Sequence, residues 1–366
     1  MPELWGTPIP RRELMRRIGG LEQLAGVRLV TLSDGAERGV RVLEFRTGTG
    51  FAFDVLVDRA MDIGRCELAG RAIGWESGVG FVGPWHFEPE GLGWLRSFGG
   101  GLLATGGLEH ALFMAEDTAA QYHYPAKETE EFGLHGRISN RPAKLTGYGA
   151  RWDGDDCTLW AEGDVLQAAV FGEHLLLRRR IEARVGASCL TIHDVVENVG
   201  WDPTPHMFLY HVNIGFPVVD EGAEMLVPIS DVQTRSGKPA GDYRRLDAPA
   251  PAFVEDAFVH QVIPEADGRV PVGIVNRARG IGAYEVFNHQ QLPVHFAWRM
   301  LGEGTYVVGL EPSTNRPEGR LDARQHGELA MLAPGETRTY DLELGALQGA
   351  DEIDHFASRV NTLGGR

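Results

Sequence analysis

Cysteine is scarce in this chain. Its 366 residues include only Cys66, Cys157 and Cys189, and no two of them have the C-x-x-C spacing. An odd number of scattered cysteines predicts neither a disulfide framework nor a zinc site. This pattern suits a reducing compartment, and we therefore expect a cytoplasmic protein.

Long apolar runs, basic clusters and phosphate loops are also missing. No run of about 18 apolar residues could span a membrane, and no apolar segment follows the basic stretch 11–18 as a signal peptide would require. The net charge is −16, with a pI near 5.3. Such a surface repels nucleic acids and anionic membranes, so neither is an expected partner. The glycines at 99–101 and 106–107 lack the context of a nucleotide-binding loop.

Helical patterns are rare as well. Only Arg11–Ile18 and Asp351–Val360 are predicted as helices, whereas 48 glycines and 20 prolines are spread along the chain as turn signals. Hydrophobic residues make up 43% of the sequence, enough for a substantial core. The pattern predicts an all-β protein, a large antiparallel β-sandwich with few short helices, in one domain over residues 1–366.

Two hairpins are predicted from alternating apolar residues on either side of glycine turns. Val40–Arg46 is expected to pair with Phe51–Val57, and Leu175–Val185 with Leu190–Val196. Further strands are predicted at Ala283–Asn288, Val294–Met300, Tyr306–Leu310 and Thr337–Leu344.

The stretch Phe208–Pro217 is a predicted strand with one histidine at its centre. Because side chains alternate along a strand, His211 and Asn213 share one face, while Tyr210 and Val212 share the other. An imidazole beside an amide in so apolar a strand is either a core histidine bonded to a carbonyl or part of a functional site.

His135 and Glu311 are the other two candidate site residues. His135 lies between glycines in Gly133–Arg137, which lets the backbone approach a ligand closely, and Arg137 follows it. Glu311 follows an apolar strand and precedes a proline, where a buried carboxylate is costly without a partner or a function. Its alternative explanation is an ion pair with Arg316 or Arg320.

Arg59 and a group of aromatic residues complete the candidates. Arg59 could pair with Asp58 or Asp62, or it could donate its fork of hydrogen bonds to ligand hydroxyls. The glycine-rich region 75–110 contains rings that could pack on a sugar or merely anchor loops: Trp75, Phe81, Trp85, Phe87, Trp94 and Phe98.

Three segments together resemble the aldose 1-epimerase (galactose mutarotase) superfamily. They are Val57–Gly64, Leu134–Asn140 and Thr204–Gly215, which match motifs of an aldose-1-epimerase-like branch known as a domain of unknown function. The resemblance covers roughly residues 30 to 345. Departures from the well-studied mutarotases are Tyr210 before the histidine and the Glu-Pro-Ser-Thr-Asn sequence that begins at Glu311.

The resemblance implies a galactose mutarotase-like β-sandwich that interconverts sugar anomers without cofactor or metal. By position in the motifs, His211 is similar to the general acid of the family and Glu311 to its general base. His135 and Arg59 are similar to residues that bind sugar hydroxyls. Arg137 and Asn213, beside these residues, are further expected substrate contacts, and the small number of cationic groups favours a neutral sugar.

Two other functions are compatible with the sequence. One is a non-catalytic carbohydrate-binding protein on the same scaffold, since a fold does not fix a function. The other is a metal-dependent sugar isomerase that uses His135, His206, His211, His289 and Glu311 as ligands. The absence of H-x-H and H-E-x-x-H spacing disfavours the metal enzyme.

Overall fold

A computed structural model describes residues 1–364 as an antiparallel β-structure with three α-helices. Two large sheets dominate it. The six-stranded sheet has the order Leu103–Gly106, Leu209–Gly215, Thr305–Ser313, Val294–Gly302, Asp256–Val262 and Ile229–Thr234. The eight-stranded sheet has the order Lys144–Asp153, Asp156–Ala168, His174–Arg184, Cys189–Asn198, Thr337–Gln348, Ile281–Asn288, Arg269–Asn276 and Glu224–Leu226.

Smaller sheets surround this pair. A five-stranded sheet contains Gly26–Thr31, Arg41–Arg46, Phe51–Leu56, Asp62–Leu68 and Arg71–Ala72. The two-stranded sheets are Glu3–Leu4 with Thr7–Pro8, Trp75–Glu76 with Gly100–Gly101, Ala115–Thr118 with Thr129–Phe132, and Thr204–His206 with Ala330–Leu332. The predicted antiparallel sandwich is confirmed.

Both predicted hairpins are present. Arg41–Arg46 pairs with Phe51–Leu56, and His174–Arg184 pairs with Cys189–Asn198. The first predicted helix is shorter than expected, at Arg11–Met15, and the second is longer, at Gly349–Leu363. The sequence reasoning missed a third helix, Arg320–Gln325, because its six residues are too few to reveal a helical period.

The core lies between the two large sheets. Tyr210, Val212 and Ile214 from the six-stranded sheet belong to the same buried cluster as Ile181 and Leu342 from the eight-stranded sheet. Strand Leu209–Gly215 therefore presents its even-numbered side chains to the core. Its odd-numbered side chains, including that of His211, point to the opposite face of the sheet.

A buried ion-pair network connects the two sheets. Arg179 contacts Asp62 at 2.8 Å and Asp194 at 2.7 Å, and its side chain is fully buried. The hydroxyl of Tyr210 donates to Asp194 at 2.7 Å. Arg179, on strand His174–Arg184, is thus an internal partner for two carboxylates, and Asp194 also holds Tyr210 on the strand that carries His211.

No helix within residues 1–364 is long and apolar enough to cross a membrane.

Candidate functional site

Two neighbouring strands bring together the histidine and the glutamate singled out in the sequence. We call Leu209–Gly215 the histidine strand and Thr305–Ser313 the glutamate strand; they pair antiparallel, with Asn213 opposite Gly309. The Nε2 atom of His211 lies 3.5 Å from Oε1 of Glu311. Both side chains are more than nine-tenths buried.

Gly309 provides the space in which these two side chains meet. A Cβ atom at this position would lie 2.9 Å from Oε1 of Glu311 and 3.2 Å from Cε1 of His211. The first distance is below any normal contact, so a larger residue would displace the carboxyl group. Glycine is therefore required here by close approach, although its position in the middle of a strand is otherwise unfavourable.

His135 reaches the same place from a loop. Its φ angle of 55° is in the left-handed region, and Gly136 follows at 74°. The His135 ring centre lies 5.4 Å from that of His211, edge to face. A non-glycine residue in this conformation is uncommon, and the conformation turns the imidazole toward His211.

Aromatic rings form the walls around these polar groups. The ring centres of Phe98 and Trp298 lie 5.3 Å and 5.5 Å from that of His211, and Trp94 lies 4.7 Å from His135. Together they enclose a largely apolar cavity of about 430 Å³, which we call the His–Glu cavity. The volume and lining are those of a small-molecule site.

Burial makes charge costly for every titratable group at its centre. It lowers the pKa of His211 to about 4 and the pKa of His135 well below its ordinary value of 6.5. It raises the pKa of Glu311 well above 4.5, and the carboxylates of Glu285 and Glu255 raise it further. Burial therefore favours the neutral imidazole in both histidines and the protonated carboxyl group in Glu311.

Asn213 does not line the cavity. Its side chain is fully buried behind His211 and donates to the carbonyl oxygens of Gly101 at 3.2 Å and His211 at 3.0 Å. The amide beside the imidazole raises the pKa of His211, against the larger effect of burial. The expectation that Asn213 contacts substrate is corrected to a positioning role.

Arg59 is also outside the cavity. Its guanidinium donates to the carbonyl oxygens of Ser139 at 2.6 Å, Val82 at 2.9 Å and Ser97 at 2.8 Å. All three of its nitrogens are used in this way, and the residue is only 6% exposed. Arg59 does not line the His–Glu cavity, so its position does not support the expected sugar contact, and it forms no hydrogen bond with Asp58 or Asp62. Arg59 instead anchors the loops that carry the aromatic rings and the segment after His135.

Arg137 points away from the His–Glu cavity. Its guanidinium lies 3.7 Å from both Glu109 and Glu130, beside a separate cavity. The prediction that it binds substrate together with His211 is therefore not supported by its position. The chain turns sharply at Gly136, so Arg137 lies on the side of the loop opposite to His135.

The alternative explanation for Glu311 is wrong. Arg320 is paired with Asp117 at 2.7 Å, and Arg316 with Glu328 at 3.0 Å. Only part of the proposed metal-ligand set meets at the His–Glu cavity, because His206 is bonded elsewhere, to the Leu108 carbonyl at 2.9 Å and to the Tyr340 hydroxyl at 2.7 Å. Within residues 1–364 no three His, Cys, Asp or Glu side chains are grouped so as to hold a metal ion.

Several residues of the cavity were missed in the sequence. Trp298 lies on predicted strand Val294–Met300, and its indole nitrogen donates to Glu255 at 2.6 Å. Glu255 and Arg235 both line the cavity and carry charges of opposite sign. Of the aromatic group at 75–110, only Trp75, Trp94 and Phe98 line it. Because these residues are far from His211 in sequence, no local sequence pattern indicates that they share a cavity with it.

A chain of hydrogen bonds runs behind Glu311. His295 is bonded to Glu285 at 3.1 Å and to His260 at 2.8 Å, and His260 is bonded to the Tyr243 hydroxyl at 2.9 Å. His295 and Glu285 are completely buried. This chain fixes the carboxyl group of Glu285, which contributes to the raised pKa of Glu311.

Comparison with protein families identifies the family of this chain. The family described as domain of unknown function DUF4432 matches residues 37–346, which include every residue of the His–Glu cavity. The chain belongs to this family. No match is found among curated proteins.

Solved structures of mutarotase-like proteins share the fold of this DUF4432 protein. One from Klebsiella pneumoniae, provisionally described as an aldose 1-epimerase, has a TM-score of 0.83 at 24% identity over 92% of this chain and 87% of its own. A galactose mutarotase-like protein from Clostridium acetobutylicum has a TM-score of 0.61 at 14% identity, covering 88% and 98%. Galactose 1-epimerase from Lactobacillus acidophilus has a TM-score of 0.54 at 13% identity, covering 88% and 99%. At these identities the likeness establishes the galactose mutarotase-like fold.

Proposed function

We propose that this DUF4432 protein interconverts the anomers of a free, neutral sugar in the His–Glu cavity. The observation that carries the proposal is the 3.5 Å approach of His211 Nε2 to Glu311 Oε1 inside an aromatic cavity. Mutarotation needs one group that accepts a proton and one that donates a proton on either side of the C1–O5 bond. A carboxyl group and an imidazole that share one proton supply both.

The protons balance over one turnover. Since burial favours the neutral forms of both groups, we place the proton on Glu311, so that neutral His211 accepts the proton of the anomeric hydroxyl while Glu311 donates to the ring oxygen. The C1–O5 bond breaks and C1 becomes a carbonyl. After rotation about C1–C2, His211 returns its proton to O1 and Glu311 regains one from O5 as the ring closes. The charged pair exists only while the ring is open.

This assignment exchanges the roles that the resemblance implies, in which Glu311 is the base. The exchange rests on burial, which favours the neutral forms of both groups. The two assignments differ only in whether Glu311 or His211 carries one proton. Hydrogen bonds from bound sugar hydroxyls can therefore shift that proton from one residue to the other. The pair, rather than either residue alone, carries the acid–base chemistry.

The walls support a neutral sugar as substrate. The rings of Trp94, Phe98 and Trp298 suit the apolar face of a pyranose. Arg235 and Glu255 oppose each other in charge, so the lining favours neither an anionic nor a cationic sugar. His135 can bond a hydroxyl without adding charge, because burial keeps its imidazole neutral.

Anomer exchange of free sugars, measured by NMR exchange spectroscopy, tests the proposal. Wild-type protein should accelerate the exchange of one or more neutral sugars among glucose, galactose, xylose and rhamnose, and act less on glucuronate and glucosamine. Glu311→Gln and His211→Asn should each slow exchange by about 10²-fold or more. The double variant should be little worse than either single variant, because the residues act as a unit.

A matched control is Glu303→Gln, which changes an exposed glutamate in the turn that leads into the glutamate strand. Its exchange rate should equal that of wild type. A folded, sugar-binding Glu311→Gln variant with wild-type exchange would remove the assignment. Sugar binding by the wild type without accelerated exchange would instead identify a carbohydrate-binding protein.

A further inference from the structure

A second cavity, of about 380 Å³, lies on the other side of the loop that carries His135. Phe87 lines it and also packs against the cluster of Trp94 and Leu134, which line the His–Glu cavity. The two cavities therefore share a wall of side chains but have different linings. The proposed anomer exchange uses no residue of the second cavity.

The polar side of the second cavity is built from buried side chains. Gln167 is 1% exposed; its Oε1 accepts from the backbone N–H of Leu108 at 3.1 Å. Its Nε2 donates to Glu109 and, at 3.4 Å, to Glu173. Both carboxyl groups are at least 95% buried. One amide thus holds two carboxyl groups toward the same space.

Two further polar atoms in the lining have no protein partner. Asn140 is 4% exposed and Tyr122 is 8% exposed. Neither the Oδ1 atom of Asn140 nor the hydroxyl of Tyr122 has a hydrogen-bond partner among residues 1–364. A buried polar atom without a partner is costly, so two of them beside one cavity indicate that something else completes their hydrogen bonds.

The charges around the second cavity nearly cancel. Three carboxyl groups, from Glu109, Glu130 and Glu173, face two guanidinium groups, from Arg137 and Arg141. Burial and the neighbouring Glu173 raise the pKa of Glu109, which favours its neutral form. Arg320 and Lys127 lie beside Glu109 and Glu130, so groups of both signs surround the cavity, and this disfavours a ligand with a strong charge of one sign.

The lining also offers the aromatic side chains of Phe87, Tyr124 and Phe132. Amides, carboxyl groups, phenols and an arginine supply both donors and acceptors, and the rings supply an apolar surface. A ligand ring with several hydroxyl groups can form hydrogen bonds with the polar groups and pack its C–H face on the aromatic rings.

We propose that the second cavity binds a neutral cyclic polyhydroxy compound, through Glu109, Glu173, Gln167, Asn140 and Tyr122. The site is separate from the proposed anomer exchange, since it contains neither His211 nor Glu311. It would account for the position of Arg137, which lies at this cavity rather than at the His–Glu cavity.

Calorimetric titration with compounds that cannot mutarotate tests this site. The probes are myo-inositol and methyl α-glucopyranoside, which are neutral, with methyl α-glucuronopyranoside as an anion and the methyl glycoside of glucosamine as a cation. At least one neutral probe should bind at millimolar concentration, and more tightly than both charged probes. The two neutral probes distinguish an inositol ring from a pyranose ring.

Variants locate the bound probe. Tyr122→Phe removes only a hydroxyl that has no protein partner, and Asn140→Leu removes the unpartnered Oδ1 together with Nδ2, which has one long hydrogen bond to Ser139 at 3.4 Å. Both variants should fold, and each should weaken binding by about tenfold or more. Trp298→Ala, in the His–Glu cavity, should leave this binding unchanged. The proposal is overturned if no neutral probe binds, if a charged probe binds more tightly, or if only Trp298→Ala weakens binding. Anomer exchange by the wild type is measured separately, so the two proposals can fail independently.

Discussion

The distance between His211 and Glu311 depends on the lack of a side chain at Gly309. Gly309→Ala would place a Cβ atom 2.9 Å from Oε1 of Glu311, so the carboxyl group must move away from the imidazole. We expect anomer exchange to fall by about tenfold or more, because displacements of about 1 Å at reacting groups are that costly. The measurement is the exchange rate per folded molecule.

Gly26→Ala is a suitable control for this variant. It lies on a strand of the five-stranded sheet, and the atoms closest to its added Cβ would be those of Glu22, at 3.6 Å. This variant should keep the wild-type rate. Equal rates for Gly309→Ala and wild type would show that the separation of His211 and Glu311 is not under tight constraint.

The buried carboxyl group of Glu311 should destabilise the protein at neutral pH. Its folded pKa is raised well above the ordinary value of 4.5, so the unfolded chain loses a proton that the folded chain keeps. The resulting penalty begins near pH 4.5 and grows with pH until the folded group ionises. Glu311→Gln should therefore gain unfolding free energy relative to wild type by about 1.4 kcal/mol for each pH unit in that window.

Urea unfolding of both proteins between pH 4 and pH 8 measures this difference. The size of the difference in unfolding free energy at any one pH includes the hydrogen bonds of the new amide. The change of this difference with pH is therefore the decisive quantity. A difference that shrinks as pH rises would mean that the folded pKa of Glu311 is lowered. Glu311 would then be ionised in the empty cavity and could act as the base.

On the scale of structural elements, Arg59 connects loops that share no sheet. Arg59→Met would leave the carbonyl oxygens of Val82, Ser97 and Ser139 without their buried donor. We expect the unfolding free energy to fall by about 1–3 kcal/mol for each carbonyl oxygen left without a partner. Amide hydrogen exchange should accelerate in residues 79–100, which contain Trp94 and Phe98 of the His–Glu cavity.

Arg28→Met is the matched control for Arg59→Met. Arg28 is 76% exposed and pairs with Glu44 on the surface, so its removal should cost less than about 1 kcal/mol. A direct sugar contact for Arg59 predicts the opposite pattern. In that case KM would rise while the unfolding free energy and hydrogen exchange remained close to those of wild type.

The histidine strand shows how far an element can be predicted. Alternation along Phe208–Pro217 placed His211 and Asn213 on one face and Tyr210 on the other, and the structure has this arrangement. The pattern does not indicate what each face meets. The partner of Tyr210 is Asp194, and the partner of His211 is Glu311, a hundred residues away in sequence.

For the whole molecule, hairpins and strands were predictable because each is encoded by neighbouring residues. The two strands that carry His211 and Glu311 were predicted, and so was the sandwich. The positions of Arg59 and Arg137 were not, since each depends on loops whose path is set by distant contacts. Of the three segments in the resemblance to aldose 1-epimerases, those of His135 and His211 line the His–Glu cavity and that of Arg59 does not. The resemblance did not indicate which side chains within them face the cavity.

Buried imidazoles should dominate the acid side of the stability curve. Burial lowers the pKa of His206 and His211 to about 4, and that of His110 and His295 to about 3, from an ordinary value of 6.5. Below pH 6.5 the unfolded chain therefore binds protons at these positions that the folded chain does not bind. Their contribution to stability is complete above pH 6.5 and is lost as pH falls toward the folded values.

His206 allows one such contribution to be measured, because it lies outside both cavities and is bonded to Leu108 and Tyr340. His206→Asn removes one titrating group, so between pH 6.5 and pH 4 its unfolding free energy should fall less steeply than that of wild type, by about 1.4 kcal/mol per pH unit. Tyr340→Phe removes the hydrogen bond to His206 but leaves the imidazole in place. It should lower the unfolding free energy by a constant amount and keep the wild-type slope. Parallel curves for His206→Asn and wild type would mean that His206 takes up a proton equally well in the folded and unfolded chains.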